Sequence, residues 1–279
     1  MMESVKKLGL GTVQFGQAYG VSNLRGQVPR SEAAAILARA ADAGIGVLDT
    51  AANYGEAEAV LAGLDTKPFR IVTKTVSVRH GVEAVLARAR QSAASLKADT
   101  LLVHAANDLQ DGTLWPALQA LKTEGVFRHI GISAYVADDP AALAERFRPD
   151  VMQLPFSLLD QRLLADGSLA RLNDLSVEIH ARSIFLQGLL FLTQLPEKLR
   201  HAAPRLEEIR RRIAEAGSTP LAAALGFVLS RPQIGMALVG VTSGAELDEI
   251  LAAASTPLPA LEWTALALDD ELVLTPSRW

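Results

Sequence analysis

Four residues among the first 104 have side chains that together can move a proton and hold a reacting oxygen: Asp49, Tyr54, Lys74 and His104. Asp49 ends a short apolar run, and Tyr54 follows in a loop closed by Gly55. A phenol ordinarily ionises near pH 10, so it exchanges protons poorly at neutral pH unless a nearby cation stabilises the phenolate. We therefore expect Lys74 to supply that cation and Asp49 to hold Lys74 charged and in place.

Each of these residues also has an ordinary structural alternative. An Asp at a strand end often caps the next turn, and a Tyr often packs or faces solvent. Lys74 could be a solvated strand end, and His104 a hydrogen-bonded residue of the rim. The functional interpretation is favoured because Ser133 and Gln153 also end apolar runs, which makes a series of polar strand ends.

Apolar runs and helical segments alternate along the whole chain, which predicts a parallel sheet. Strands are predicted at 8–12, 46–49, 69–74, 100–104, 129–133, 150–153, 176–182 and 235–240. Helices are predicted at 31–43, from residue 56, and at 82–96, 114–124, 140–147, 168–173, 220–230 and 245–254. Ser31 is the expected N-cap of the first helix, after a polar loop at 13–29.

The length and the alternation favour a (β/α)8 TIM barrel, which typically needs about 250 residues. A doubly wound nucleotide-binding sheet would usually open with G-x-G-x-x-G, and the third glycine is missing after Gly9 and Gly11. We predict one barrel domain over residues 1–279, with a charged insertion at about 193–217 and a short C-terminal tail. All strand ends of a barrel meet at one rim, so the polar strand ends should converge there.

Composition excludes several other classes of function. The 279 residues are 49% hydrophobic and carry a net charge of −4 without a long charge run, so nucleic acid and anionic membranes are not expected partners. The chain has no Cys, which excludes disulfides and thiolate metal sites, and no His/Asp spacing suggests a metal site of another kind. No apolar stretch approaches the roughly 20 residues of a membrane span, so a cytoplasmic protein is expected.

The motifs resemble those of the aldo-keto reductase family over nearly the whole chain. They are G-T-x-Q-F-G at 11–16, D-T-A-x-x-Y-G at 49–55, Lys74, His104, G-I-S at 131–133, Gln153 with P-F-S at 155–157, and Ser183 with Q-G-L at 187–189. The opening L-G-T-V-Q-F-G-x-x-Y-G also resembles a bacterial subgroup that includes a regulator of cell division that retains cofactor binding.

The resemblance implies an oxidoreductase that exchanges a hydride with the nicotinamide of NAD(P)(H). Tyr54 would give a proton to a carbonyl oxygen, or take one from an alcohol, and His104 would orient that oxygen. The candidate cofactor residues are Gly11, Thr12, Ser133, Gln153, Arg182, Ser183, Gln187, Gly240, Val241, Thr242 and Glu246. Ser133 and Gln153 would hold the carboxamide, although Ala134 replaces the usual Asn and Arg182 stands where many members place a stacking aromatic residue.

The end of the last strand predicts NAD(H) rather than NADP(H). Members that prefer the phosphorylated cofactor place Lys at the position of Gly240 and Arg at that of Glu246, so both cations are absent here. A 2′-phosphate would be repelled by Glu246, whereas a ribose hydroxyl could donate to it. Alternatively, residues 243–246 form an S-x-x-E capping box, with Glu246 bonded to its own helix.

The expected substrates are small aldehydes, ketones, aldoses or the corresponding alcohols, because the tail after Ala254 is short and leaves an open site. Position alone makes five residues candidates for the substrate pocket, with packing as the alternative for each of them: Gln14, Phe15, Tyr19, Phe156 and His80. The alternative function is an NAD(H)-binding regulator or sensor with little turnover, which would act on a protein partner. It is motivated by the opening motif and by Ala134 and Arg182.

Overall fold

Eight parallel strands form a closed barrel in chain order, and the last strand pairs back on the first. The computed structural model describes residues 2–279, with the backbone alone at residues 2, 3 and 277. The strands are β1 Leu8–Gly11, β2 Val47–Asp49, β3 Arg70–Lys74, β4 Thr100–Val103, β5 His129–Ser133, β6 Val151–Pro155, β7 Glu178–Arg182 and β8 Met236–Gly240. The (β/α)8 barrel predicted from the sequence is therefore confirmed.

Helices connect the strands and cover the outside of the barrel. They are α1 Met2–Lys6, α2 Val13–Gly16, α3 Arg30–Ala43, α4 Ala57–Ala62, α5 Val82–Leu96, α6 Leu114–Thr123, α7 Pro140–Phe147, α8 Arg162–Ala165, α9 Ser168–Asp174, α10 Ala203–Glu215, α11 Pro220–Leu229, α12 Gly244–Ala254 and α13 Glu271–Leu274. Within residues 2–279, no helix combines the length and apolarity that crossing a membrane requires.

Two local predictions about the first crossover were wrong. Helix α3 begins at Arg30, one residue before the expected cap Ser31, and Pro29 precedes it without any side-chain cap. Pro29 has the extended backbone of an N-cap residue, with φ −60° and ψ 149°, and its carbonyl accepts the first helical hydrogen bond, from the Ala33 amide at 2.9 Å. The segment 13–29, predicted as a loop, begins with the short helix α2, whose Phe15 is buried.

The charged segment at 193–217 is folded against the barrel. It contains a 3-10 helix, Glu197–Ala202, followed by α10. Leu206, Ile209 and Ile213 are buried on one side of α10, at the three- and four-residue spacing that places side chains on one helix face. The charges of this segment therefore cover the outer side of a helix that packs through its apolar side.

Charged side chains close the amino-terminal end of the barrel. Arg70, at the start of β3, reaches across to Glu178 at the start of β7, with 2.6 Å between Nη2 and Oε1. His180, fully buried, bonds the same carboxylate at 2.8 Å. Burial alone would raise the pKa of Glu178, but its bonds to His180 and Arg70 lower it. The interior of the barrel beyond this cluster is apolar. A polar site within the barrel is therefore expected at the opposite, carboxyl-terminal end.

A close backbone contact fixes the loop that carries Tyr54. The carbonyl of Gly16 in α2 accepts a hydrogen bond from the backbone N–H of Glu56 at 3.3 Å. A Cβ at Gly16 would lie 1.8 Å from the carbonyl oxygen of Tyr54 and 2.4 Å from the amide of Ala57. Gly55 has a φ of +54°, in the left-handed region that favours glycine. The contact with helix α2 therefore fixes the position of the Tyr54 loop at the carboxyl-terminal end of the barrel.

Gly16→Ala should lower the free energy of unfolding by about 2 kcal/mol or more, because the added methyl group meets rigid backbone rather than a flexible side chain. The matched control is Gly46→Ala, since a Cβ at Gly46 meets nothing within 4 Å. Urea unfolding of both variants measures the difference. Equal stability of the two variants would contradict the tight contact between α2 and the Tyr54 loop.

Candidate active site

A buried ion pair between Lys74 and Asp49 lies at the centre of the carboxyl-terminal rim. The side chains are 1% and 5% exposed, and the Lys74 ammonium donates to both carboxylate oxygens, at 2.8 and 2.7 Å. It also donates to the carbonyl oxygen of Thr50 at 2.9 Å and to the hydroxyl of Tyr54 at 3.3 Å. The structure thus brings together the ammonium, carboxylate and phenol that the sequence placed on separate elements.

The surroundings of Lys74 keep its ammonium charged. Burial alone would lower the pKa of Lys74, but the Asp49 carboxylate, with further contributions from Tyr54, raises it above its ordinary value. Asp49 is itself held in place, since Gln153 Nε2 donates to its Oδ1 at 2.6 Å and the Thr12 hydroxyl donates to its backbone carbonyl at 2.9 Å. A fixed positive charge therefore faces the hydroxyl of Tyr54 at neutral pH.

His104 faces Tyr54 from the end of β4 as a neutral imidazole. The two rings meet edge to face, with 5.9 Å between centroids and 82° between planes. Burial, followed by the charge of Lys74, lowers the pKa of His104 from 6.5 to about 4. A neutral imidazole has one N–H donor and one acceptor nitrogen. His104 can therefore donate a hydrogen bond to an oxygen beside Tyr54 without adding a second cation next to Lys74.

A cavity of about 710 Å³ extends from this cluster to the start of α12, a volume typical of ligand pockets. Its lining includes the four candidate catalytic residues together with Gly11, Ser133, Gln153, Arg182, Ser183, Gln187, Gly240, Thr242 and Glu246. Two other candidates for cofactor contact lie behind this surface: Thr12 is fully buried against Asp49, and Val241 is 1% exposed.

Three of the five residues suggested for the substrate pocket lie elsewhere. Gln14 and Tyr19 line the cavity, but Phe15 and Phe156 are fully buried in the hydrophobic core. His80 is exposed in a short 3-10 helix after β3, outside the cavity lining. The prediction was wrong for these three because a loop position near the rim does not determine whether a side chain turns into the cleft or into the core.

Arg182 is held at the end of β7 by a hydrogen bond and by an aromatic ring. Its guanidinium donates to the carbonyl of Ala134 at 3.2 Å and lies 4.3 Å from the centre of the Tyr135 ring. The position that lacks the usual Asn side chain is therefore bonded through its backbone to Arg182. Stacking on an aromatic ring is favourable for a guanidinium, and it leaves the opposite face of the group open to another flat ring.

Carboxylate oxygens accept hydrogen bonds from backbone amides at the start of α12. Glu246 accepts from the Thr242 amide at 2.6 Å and from the Thr242 hydroxyl at 2.8 Å. Ser243 accepts from the Glu246 amide at 3.3 Å, which is the N-cap bond of the predicted capping box. The return bond goes to Thr242 instead of Ser243. Glu32, from α3, accepts from the Gly244 amide at 2.9 Å.

The comparisons with known proteins agree on one family. The model of the Aldo/keto reductase family matches residues 7–268. This chain belongs to the aldo/keto reductase family. A D-threo-aldose 1-dehydrogenase of Pseudomonas sp is 27% identical over 96% of both chains, and an L-galactose dehydrogenase of Arabidopsis thaliana is 26% identical over 96% of this chain and 88% of its own.

Solved aldo-keto reductases share the fold. The holo form of one from Bacillus halodurans superposes with a TM-score of 0.74 at 22% identity, covering 93% of this chain and 90% of its own. An aldo/keto reductase from Klebsiella pneumoniae, in complex with NADP and acetate, gives a TM-score of 0.72 at 24% identity, covering 93% and 89%. Aldo-keto reductases use nicotinamide cofactors.

The cavity fits such a cofactor. It has a polar end at Tyr54 and extends from there to the start of α12, and its volume of about 710 Å³ is typical of ligand pockets. Gln14 Oε1 is buried beside the cavity without a hydrogen-bond partner among the described residues, so it can accept from a bound ligand.

Two residues at or next to the candidate site were not predicted: Tyr135, which lines the cavity, and Glu32, which bonds the start of α12 beside it. Tyr135 directly follows Ala134, so an aromatic residue one position past the strand end was a usable signal. Glu32 carried no signal, because an acidic residue in the first turn of a helix is common and Glu32 meets Gly244 only through the packing of α3 against α12.

His104 should stay neutral in the folded protein down to about pH 4, because burial and Lys74 disfavour its protonation. Histidine-selective NMR titration measures this, with His104→Asn identifying the resonance. The unfolded chain binds the proton more readily, so His104 should reduce stability as the pH falls from about 6.5 through about 4.

The stability of the wild type should therefore decrease relative to His104→Asn over that interval, by about 3 kcal/mol, since one pKa unit corresponds to about 1.4 kcal/mol. A His104 resonance that titrates near pH 6.5 would contradict this description of the site.

Proposed function

We propose that this protein is an NAD(H)-dependent oxidoreductase that interconverts small aldehydes, ketones or aldoses with alcohols, with Tyr54 as the general acid and base. The observation that carries the proposal is the 3.3 Å contact between Lys74 Nζ and the Tyr54 hydroxyl, with Asp49 holding Lys74. Aldoses are the first substrates to test, because the two curated relatives are named as dehydrogenases of aldose sugars.

The proton transfer follows from the charges around Tyr54. In the reductive direction Tyr54 gives its proton to the carbonyl oxygen, and the Lys74 ammonium stabilises the phenolate that remains. In the oxidative direction the phenolate takes the proton of the alcohol or of the sugar hydroxyl at C1. His104 donates to the same oxygen in both directions and orients it. Hydride donation or acceptance is the chemistry that a bound nicotinamide would supply.

The residues near the reactive end would position the nicotinamide. Ser133 and Gln153 are the proposed partners of its carboxamide. Gln153 already donates to Asp49, so its own amide oxygen is left to accept from the carboxamide. Arg182 would offer one guanidinium face to the ring while Tyr135 covers the other. Gly11, Ser183, Gln187, Gly240 and Thr242 line the remaining path, and Thr12 and Val241 would support it from behind.

We assign NAD(H) as the preferred cofactor. At the α12 end the charged side chains lining the cavity are Glu246 and Glu249, and none of the described residues lining that end is Lys or Arg. Beside Gly240, a Cβ would lie 2.7 Å from the amide nitrogen of Gln14, so Gln14 occupies the space of a longer side chain. Both features disfavour a 2′-phosphate. Tighter binding of NADPH than of NADH would contradict this assignment.

Tyr54→Phe should lower turnover by roughly 10²- to 10⁴-fold, the usual contribution of general acid–base catalysis, while NADH binds as in the wild type. Steady-state kinetics on a panel of aldoses and small aldehydes, with fluorescence titration of NADH, measures both effects. Tyr19→Phe removes a hydroxyl from the same cavity and should have a much smaller effect.

Retention of turnover in Tyr54→Phe would contradict the proposed mechanism. If the wild type binds NADH but turns over no carbonyl compound or alcohol, the regulatory alternative is supported instead.

A further inference from the structure

The start of α12 has fewer free amides than a helix start normally offers. The first N–H groups of a helix lack partners within the helix, and for this reason they bind phosphates. Here the amides of Thr242, Gly244 and Glu246 already donate to protein oxygens. Two of these three acceptors are carboxylates, so the positions that could receive an anion hold negative charge.

One of the two carboxylates comes from a different part of the chain. Glu246 belongs to α12 itself, but Glu32 lies in the first turn of α3 and reaches the Gly244 amide across the interface between the two helices. Both side chains are partly buried. Neither takes part in the ion pairs formed among the described residues, so their charges are not neutralised by Lys or Arg.

We propose that Glu32 is a specificity-determining residue that acts with Glu246 to exclude a cofactor carrying a 2′-phosphate. The inference rests on the proposed function, because it requires a nicotinamide dinucleotide in the cavity. Glu32 is not among the described residues that line the cavity, so it would act from behind the surface, through its charge and through the Gly244 amide that it holds. A phosphate at the start of α12 would face the Glu246 carboxylate and would find the Thr242 and Gly244 amides already taken. A ribose hydroxyl can instead donate to a carboxylate, so the unphosphorylated cofactor is not penalised.

A purely structural role for Glu32 has a different signature. If Glu32 only joins α3 to α12, its removal would weaken the fold and would affect both cofactors alike. If Glu32 selects the cofactor, its removal would change the ratio of the two dissociation constants. This ratio is measured within one protein sample, so it does not depend on the folded fraction.

The test is a fluorescence titration of NADH and NADPH with the wild type, Glu32→Gln, Glu246→Gln and the double variant. Gln keeps the shape and one acceptor oxygen of Glu but removes the charge. The control is Glu83→Gln, which removes the same charge from an exposed position in the first turn of α5. Each dissociation constant for NADPH is divided by that for NADH.

The ratio should exceed one in the wild type, fall at least tenfold in Glu32→Gln, fall further in the double variant, and remain unchanged in Glu83→Gln. High salt should lower the wild-type ratio because it screens the repulsion. Normal NADH binding with an unchanged ratio in Glu32→Gln would overturn this inference alone. Failure of the wild type to bind either dinucleotide would overturn the proposed function as well.

Discussion

The arrangement depends on a lysine ammonium that is buried and kept charged. Removing an ammonium from water costs several kcal/mol unless a partner and further hydrogen bonds compensate. Here both oxygens of Asp49 and the carbonyl of Thr50 surround Lys74, and the pKa of Lys74 is raised in spite of its burial. The remaining contact of the ammonium is the hydroxyl of Tyr54. The charge that the protein must stabilise in order to fold is therefore also the charge that acts on the phenol.

The cavity has opposite charges at its two ends, which would orient a dinucleotide. Lys74, Asp49 and Arg182 lie at the end where proton transfer is proposed, and because Asp49 pairs with Lys74 this end has a net positive charge. Glu246 and Glu249 lie at the α12 end. Neutral His104 adds a hydrogen-bond donor at the reactive end without adding charge. A cofactor would thus meet positive charge near its nicotinamide ring and carboxylates near its adenosine. The same distribution of charge would orient the dinucleotide and would account for the proposed exclusion of a 2′-phosphate.

Alternation of apolar and helical segments was enough to predict a parallel sheet, because strands buried on both faces read as short apolar runs. Closure into a barrel was favoured by the chain length and by the missing third glycine of the nucleotide-binding motif. The convergence of Asp49, Lys74 and His104 followed from the rule that the strand ends of a barrel share one rim. No comparable rule predicts whether a side chain in a loop points into the cavity or into the core. Phe15 and Phe156 proved to be core residues. The bond between Glu32 and Gly244 joins residues 212 positions apart, so only the packing of two helices reveals it.

The central claim is that Lys74 and Tyr54 act as one proton-transfer unit. The most direct test is a double-mutant cycle on the rate of hydride transfer, measured in single-turnover experiments with wild type, Tyr54→Phe, Lys74→Met and the double variant. Because Lys74 acts through the phenol, the double variant should be no more than a few-fold slower than Tyr54→Phe alone. Independent effects that multiply in the double variant would contradict the account.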